Sequence, residues 1–118
     1  MWPFFIIYFP ALYIDNSHVI RYISRVIKSF ADKLTRELFL TGKTRKVHPD
    51  VAKKAVRRMG YLENATCLND LKVPPSNRLH ALSGERQGQY SISVNDQWRV
   101  CFRFENGDAY DIEFTDYH

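Results

Sequence analysis

Apolar and polar residues alternate with a period of two over most of the stretch from Tyr90 to Phe114. That spacing puts Tyr90, Ile92 and Val94, then Trp98, Val100, Phe102 and Phe104, then Tyr110, Ile112 and Phe114 on one face of an antiparallel meander. The opposite face would carry Ser91, Ser93, Arg99, Cys101, Arg103, Asp111 and Glu113. Asn95-Asp96 and Asn106-Gly107 divide the pattern into three strands, and both pairs tolerate the positive φ of tight hairpins. The last strand runs directly into Asp116-Tyr117-His118, a carboxylate, a phenol and an imidazole.

Upstream the period changes. Val26 to Phe30 predicts a short strand, and a short amphipathic helix with Leu34, Leu38 and Phe39 follows Asp32 and stops at Gly42. A second helix opens at His48-Pro49-Asp50, with proline and an acidic residue in the first turn. Its apolar residues Val51, Ala55, Val56, Met59 and Leu62 recur at helical spacing and form one buried stripe. The prolines and polar residues of Asp70 to Asn77 predict a loop. Arg78 to Leu82 then predicts a short strand, and Ser83 to Gly88 a glycine-punctuated turn. The predicted fold class is α+β: a short N-terminal strand and two helices packed on an antiparallel sheet of about four strands.

Residues 1–14 form an aromatic and aliphatic run broken by Pro3 and Pro10. The run is too short and too interrupted for a membrane span, which needs about 20 apolar residues. It also lacks the basic start and small-residue end of a secretory signal. A third reading is that residues 1–25 are a non-native or disordered extension, which leaves residues 26–118 as the domain.

At 118 residues the chain suits one domain with one core. Its formal charge of +4 is compatible with an anionic partner. Two well-separated cysteines give neither a disulfide framework nor a metal site, so reduced thiols and a cytoplasmic protein are expected. The chain has no internal repeat, P-loop or dinucleotide glycine motif.

The second helix carries Lys53, Lys54, Arg57 and Arg58 away from its apolar stripe, and the linker before it carries Lys43, Arg45 and Lys46. Such a cluster reads either as a solvated face or as a surface for nucleic-acid phosphates. Of the four histidines, His18 and His48 are expected to be incidental or structural, and none shows metal-ligand spacing, so neither metal nor cofactor is expected. His80 can face outward beside Arg99 or Arg103, and His118 closes the chain. Imidazoles that exchange protons near neutral pH, with guanidinium groups that pair phosphate oxygens, are the equipment for cutting RNA at a 2′-hydroxyl without metal.

From Val26 onward the chain resembles the HigB branch of the RelE/ParE toxins of bacterial type II toxin–antitoxin modules. The likeness rests on Ile27-Lys28-Ser29-Phe30, Leu38-Phe39 with Thr41-Gly42-Lys43, and Arg78-Leu79-His80-Ala81-Leu82 before Gly84-Glu85-Arg86. It rests further on Gly88-Gln89-Tyr90-Ser91-Ile92, on Gln97 to Phe102, and on Asp116-Tyr117-His118. Members of this branch begin Met-Ile-Lys-Ser-Phe, so Val26 is expected to mark an internal start.

The resemblance implies a RelE-like fold with a curved sheet and an endoribonuclease that enters the ribosomal A site and cuts messenger RNA during translation. It also implies a cognate helix-turn-helix antitoxin that neutralises the toxin, the pair repressing its own operon, with no membrane involved. Carried over by position, His118 and His80 share acid/base work, Tyr117 orients or stacks on a base, Arg99 faces phosphate charge, and Asp116 orients a neighbour. Lys43, Arg45, Lys46, Lys53, Arg57, Arg86 and Arg103 are the expected RNA-binding cations. Ser83 stands where competent relatives commonly carry lysine, which implies a weakened site unless Arg86 compensates. Two other readings follow from the same family: a ParE-like toxin acting on gyrase, which lacks this tail, and a disarmed toxin serving as antitoxin partner and co-repressor.

Overall fold

The structure is a computed structural model that describes residues 27–116. The expectations for residues 1–25, for Val26 and for the roles of Tyr117 and His118 lie outside the described residues.

Both helices form where local signals demand them. Helix α1, Lys33–Thr41, is capped by Asp32, whose carboxylate accepts from the Thr35 amide at 2.7 Å, and ends at Gly42 with φ 76°. That left-handed conformation lets the Gly42 amide reach back to the Leu38 carbonyl. Helix α2, Pro49–Asn64, is capped by His48, whose Nδ1 accepts from the Asp50 amide at 3.1 Å, so this histidine is structural. The α2 stripe is buried through Ala52, Ala55, Met59 and Leu62, while Val51 and Val56 are only half-buried.

Four strands follow: β1 (His80–Ala81), β2 (Tyr90–Ser93), β3 (Trp98–Glu105) and β4 (Asp108–Asp116), antiparallel in the order β1-β2-β3-β4. The strand expected over Arg78 to Leu82 is thus shortened to two residues. Arg78, with φ 49°, ends the preceding turn in a left-handed conformation and leaves only the next residues free to extend. The expected N-terminal strand is likewise reduced to two parallel bridges, Ile27 with Ala109 and Phe30 with Ile112, beside β4. Both helices cover one face of the sheet, and Leu38, Met59 and Leu62 meet Ile92, Val100, Phe102 and Phe114 in one core.

Alternation holds along β2 and β3 and breaks in β4. Cys101 pairs with Glu113, but Arg103 pairs with Tyr110, so β4 spends two residues, Asp111 and Ile112, opposite Phe102 alone. Asp111 takes φ 54° there, and its amide donates to the Ser29 hydroxyl at 2.9 Å. The bulge reverses the faces beyond it. Ala109 enters the core at 0% exposure, and Tyr110, expected in the core, shares the outer face with Arg103.

The two hairpin turns also differ. Asn106 and Gly107 adopt the expected positive φ. Asn95-Asp96 does not: the Asn95 side chain accepts from the Gln97 and Trp98 amides at 2.8 and 2.7 Å, replacing a left-handed backbone with an Asx-type turn.

Arg58 is the other correction. Expected on the solvated basic face of α2, it is 6% exposed and donates through Nη1 to Asn77 Oδ1 at 2.6 Å. Asn77, fully buried, donates in turn to the Leu71 carbonyl at 3.0 Å. A side chain 18 positions beyond Arg58, Ser76, completes the anchor through a 3.3 Å contact with Nη2. Helical periodicity cannot see such partners.

Candidate active site

The sheet face opposite the helices gathers the candidate chemistry. Residues directly opposite in an antiparallel pair share a face, so the register His80–Ser91–Cys101–Glu113 forms one cross-strand row and Ser93–Arg99–Thr115 the next. Arg99 reaches diagonally from the second row into the first: its Nη1 donates to the Ser91 hydroxyl at 2.9 Å. Ser91 is also the register partner of His80. An exposed imidazole and a half-buried guanidinium therefore share one fully buried serine as a neighbour.

Arg86 joins this face from the turn Gly84–Arg86. Its Nη2 donates to Glu113 Oε1 at 3.0 Å and its Nη1 to Gln89 Oε1 at 3.0 Å. Burial works against the Arg86 charge, but the Glu113 hydrogen bond, with smaller contributions from the nearby Cys101 sulfur and the Glu113 charge, outweighs it and holds the guanidinium more firmly protonated. Ser83 is exposed, and its side chain makes no capping hydrogen bond to the turn it precedes. Arg103 lies on the same face with its Nε 3.4 Å from Asp111 Oδ2. Gly88, at φ 94°, lets that guanidinium approach: a Cβ there would stand 3.3 Å from Arg103 Nη1.

Cys101 lies beneath these cations, 3% exposed, so the outer face is not simply solvated as alternation suggested. Burial pushes its thiol pKa up; Arg86 and Arg99 pull it down and Glu113 pushes it up, leaving a net rise. It is a neutral filler under the charged layer.

Asp116 is placed elsewhere. It pairs with Trp98, a core-facing residue, at the far end of β4, and Gln97 Nε2 donates to its Oδ2 at 3.0 Å. Its side chain thus starts on the helix side of the sheet end and does not share the His80 and Arg99 face. Lys46 is brought to the same end, its Nζ 5.2 Å from the Trp98 ring centroid, and the indole stacks on Phe114 at 4.7 Å.

The other expected RNA-binding cations separate into two further places. Lys43 and Arg45 line an open groove against Lys33, Leu34 and Glu37 of α1. Lys53 and Arg57 line another beside Asn95. Glu113, Gln89 and Ser91 were not singled out as site residues from the sequence. Their parity was visible, but the pairing of Glu113 with Arg86 depends on where a loop folds over the sheet. Among the described residues no helix is long and apolar enough to cross a membrane.

Residues 28–118 match the family model described as RelE-like toxin of type II toxin-antitoxin system HigB. The Endoribonuclease HigB of Proteus vulgaris is 38% identical over 93 residues, covering 79% of this chain and 100% of that protein. Toxin HigB-1 of Vibrio cholerae serotype O1 is 33% identical over 81 residues, covering 68% of this chain and 85% of its own length. An uncharacterized protein of Haemophilus influenzae is 30% identical over 81 residues, 68% of this chain and 80% of that one.

Proposed function

The chain belongs to the HigB family of RelE-like toxins of type II toxin–antitoxin systems, and we propose that it is an endoribonuclease that cuts translated messenger RNA in the ribosomal A site and so arrests growth. The observation that carries this reading is that His80 and Arg99 lie on the open face of the sheet with Ser91 as their common neighbour, the first by strand register and the second by hydrogen bond. A relative matched over its full length bears the name endoribonuclease.

In the proposed reaction the RNA 2′-oxygen attacks the adjacent phosphorus as its proton passes to an imidazole. The phosphorus–5′-oxygen bond breaks, the departing oxygen takes a proton from an acid, and a 2′,3′-cyclic phosphate is left on the upstream fragment. His118 and His80 share the two proton transfers, the task for which imidazole is the commonest general acid and base. Arg99, oriented by Ser91, faces the phosphoryl oxygens as negative charge grows on them. Tyr117 stacks on or orients a base, and Asp116 orients the tail that follows it. The acid/base pair supplies the whole proton inventory, so the scheme requires no metal.

Residues 26–118 are the proposed working unit, acting in the bacterial cytoplasm and restrained by a cognate helix-turn-helix antitoxin. The test is induction of residues 26–118 in bacteria, with and without His118→Ala, followed by mapping of new messenger RNA ends. Arrest with cuts inside translated codons, lost in the variant, is the expected result. Arrest without cuts would point to gyrase, and no arrest to a disarmed toxin kept for antitoxin binding.

A further inference from the structure

We propose that a pocket at the free edge of β2, built on Arg58, Lys54 and Arg78, binds a backbone phosphate of the RNA strand next to the one being cut. The proposal rests on the ribonuclease reading above and adds a second phosphate site outside the His80 and Arg99 pair.

The pocket follows from the way β1 is cut short. His80 pairs with Ser91 and Ala81 with Tyr90, so the same register would set Arg78 opposite Ser93. The left-handed backbone at Arg78, φ 49°, turns the chain away instead and leaves that end of β2 uncovered on its β1 side. A cavity of about 340 Å³ remains, lined among others by Lys54, Arg58, Ser76, Arg78, Ser93 and Asp96. Three cations face one carboxylate.

Arg58 gives the pocket a fixed positive floor. Its guanidinium is held by the neutral oxygens of Asn77 and Ser76, with the Tyr61 ring 5.7 Å away, and among the described residues it makes no ion pair. Its Nε is buried without a hydrogen-bond partner. A buried charge surrounded by dipoles alone is destabilised by lost hydration, and an anion placed nearby relieves that. Lys54 and Arg78 are exposed and form no ion pair among the described residues, so both are available to close over the anion.

The location fits a strand continuing from the active face. Arg78 precedes His80 by two residues, about 7 Å along an extended backbone, and Ser93 is the register partner of Arg99. A polymer whose scissile phosphate lies at Arg99 can therefore set a neighbouring phosphate in the pocket, whereas a lone phosphate would gain nothing from that proximity.

The test measures binding without cleavage, using the full chain and a fluorescein-labelled hexanucleotide with every ribose 2′-O-methylated. Lys54→Gln with Arg78→Asn is the variant, asparagine being chosen because it tolerates left-handed backbone. Lys28→Gln with Lys33→Gln is the control of equal charge. The expected result is a dissociation constant raised at least about tenfold in the first pair only, with the salt dependence of log affinity shallower by about 0.7, the loss of one phosphate contact on a single strand.

Equal losses in both pairs, or none in either, would overturn the proposal. Inorganic phosphate is titrated separately against the amide resonances of Ser76 and Asn77. Shifts there, with oligonucleotide affinity indifferent to the first pair, would assign the pocket to free phosphate and overturn the RNA assignment. Selective loss of affinity in a protein that cuts no RNA would overturn the nuclease reading while upholding the pocket as a nucleic-acid phosphate site.

Discussion

Thr35 and Phe114 are joined by one buried hydrogen bond: the Phe114 amide of β4 donates to the Thr35 hydroxyl of α1 at 3.0 Å. The N-terminal segment covers β4 only as far as Ile112, where the Ala31 amide reaches the Ile112 carbonyl at 2.8 Å. Beyond that point the edge of β4 would be unsatisfied, and the helix supplies a hydroxyl in place of a strand. Thr35 is 0% exposed. Replacing it with valine keeps the shape and orphans the amide, so Thr35→Val is expected to lower unfolding free energy by about 1–3 kcal/mol. Urea denaturation measures it, and a variant as stable as the parent would show the bond to be dispensable.

Asn77 is expected to be as sensitive for a different reason. It accepts from the buried Arg58 and donates to the Leu71 carbonyl, linking α2 to the loop before β1. Asn77→Ala removes a hydrogen bond to a charged group, worth about 1.5–3 kcal/mol. Hydrogen exchange should locate the loosening at residues 71–78; faster exchange spread evenly over the sheet would contradict a local anchor.

The two thiols should differ sharply. Cys67 is exposed and Cys101 buried, so a thiol reagent at neutral pH is expected to modify Cys67 quickly and Cys101 only on unfolding. Burial holds the folded Cys101 pKa above the ordinary thiol value. Its contribution to stability is therefore intact below that value and declines as pH rises through the folded pKa. Stability measured from neutral to alkaline pH should fall less in Cys101→Ala than in the parent; parallel curves would exclude this group as the source.

A cation can be restored at Ser83. The side chain is exposed and caps nothing, so Ser83→Lys costs the fold little and adds positive charge beside the strand that holds His80. Cleavage is expected to rise by about tenfold, and Arg86→Ala to lower it by about the same factor, less than the 10²-fold typical of a dedicated oxyanion donor. That modest figure reflects Glu113, which already engages the Arg86 charge. Quantified cleavage of a reporter message decides both.

Much of this was readable from residues close together in the chain. Asp32, Gly42 and His48-Pro49 mark helix ends because capping is settled within one turn, and the shared face of His80 and Arg99 was an open possibility because parity along strands is local. The reading failed where a distant partner decides. Tyr110 changes face because Ser29, 82 positions from Asp111, receives the bulged amide. Arg58 turns inward because Asn77 waits for it. Arg86 meets Glu113 only once the turn Gly84–Arg86 lies over the sheet.

Trp98 has one more consequence. Its indole lies between the Lys46 ammonium and the Phe114 ring, and its backbone pairs with Asp116, where the candidate tail begins. The other tryptophan of the chain is Trp2, so the proposed unit of residues 26–118 holds a single tryptophan, which can be excited apart from the tyrosines. A partner bound at that end of the sheet is expected to disturb the cation or the stack around it. The protein's own emission spectrum then becomes a label-free record of occupancy.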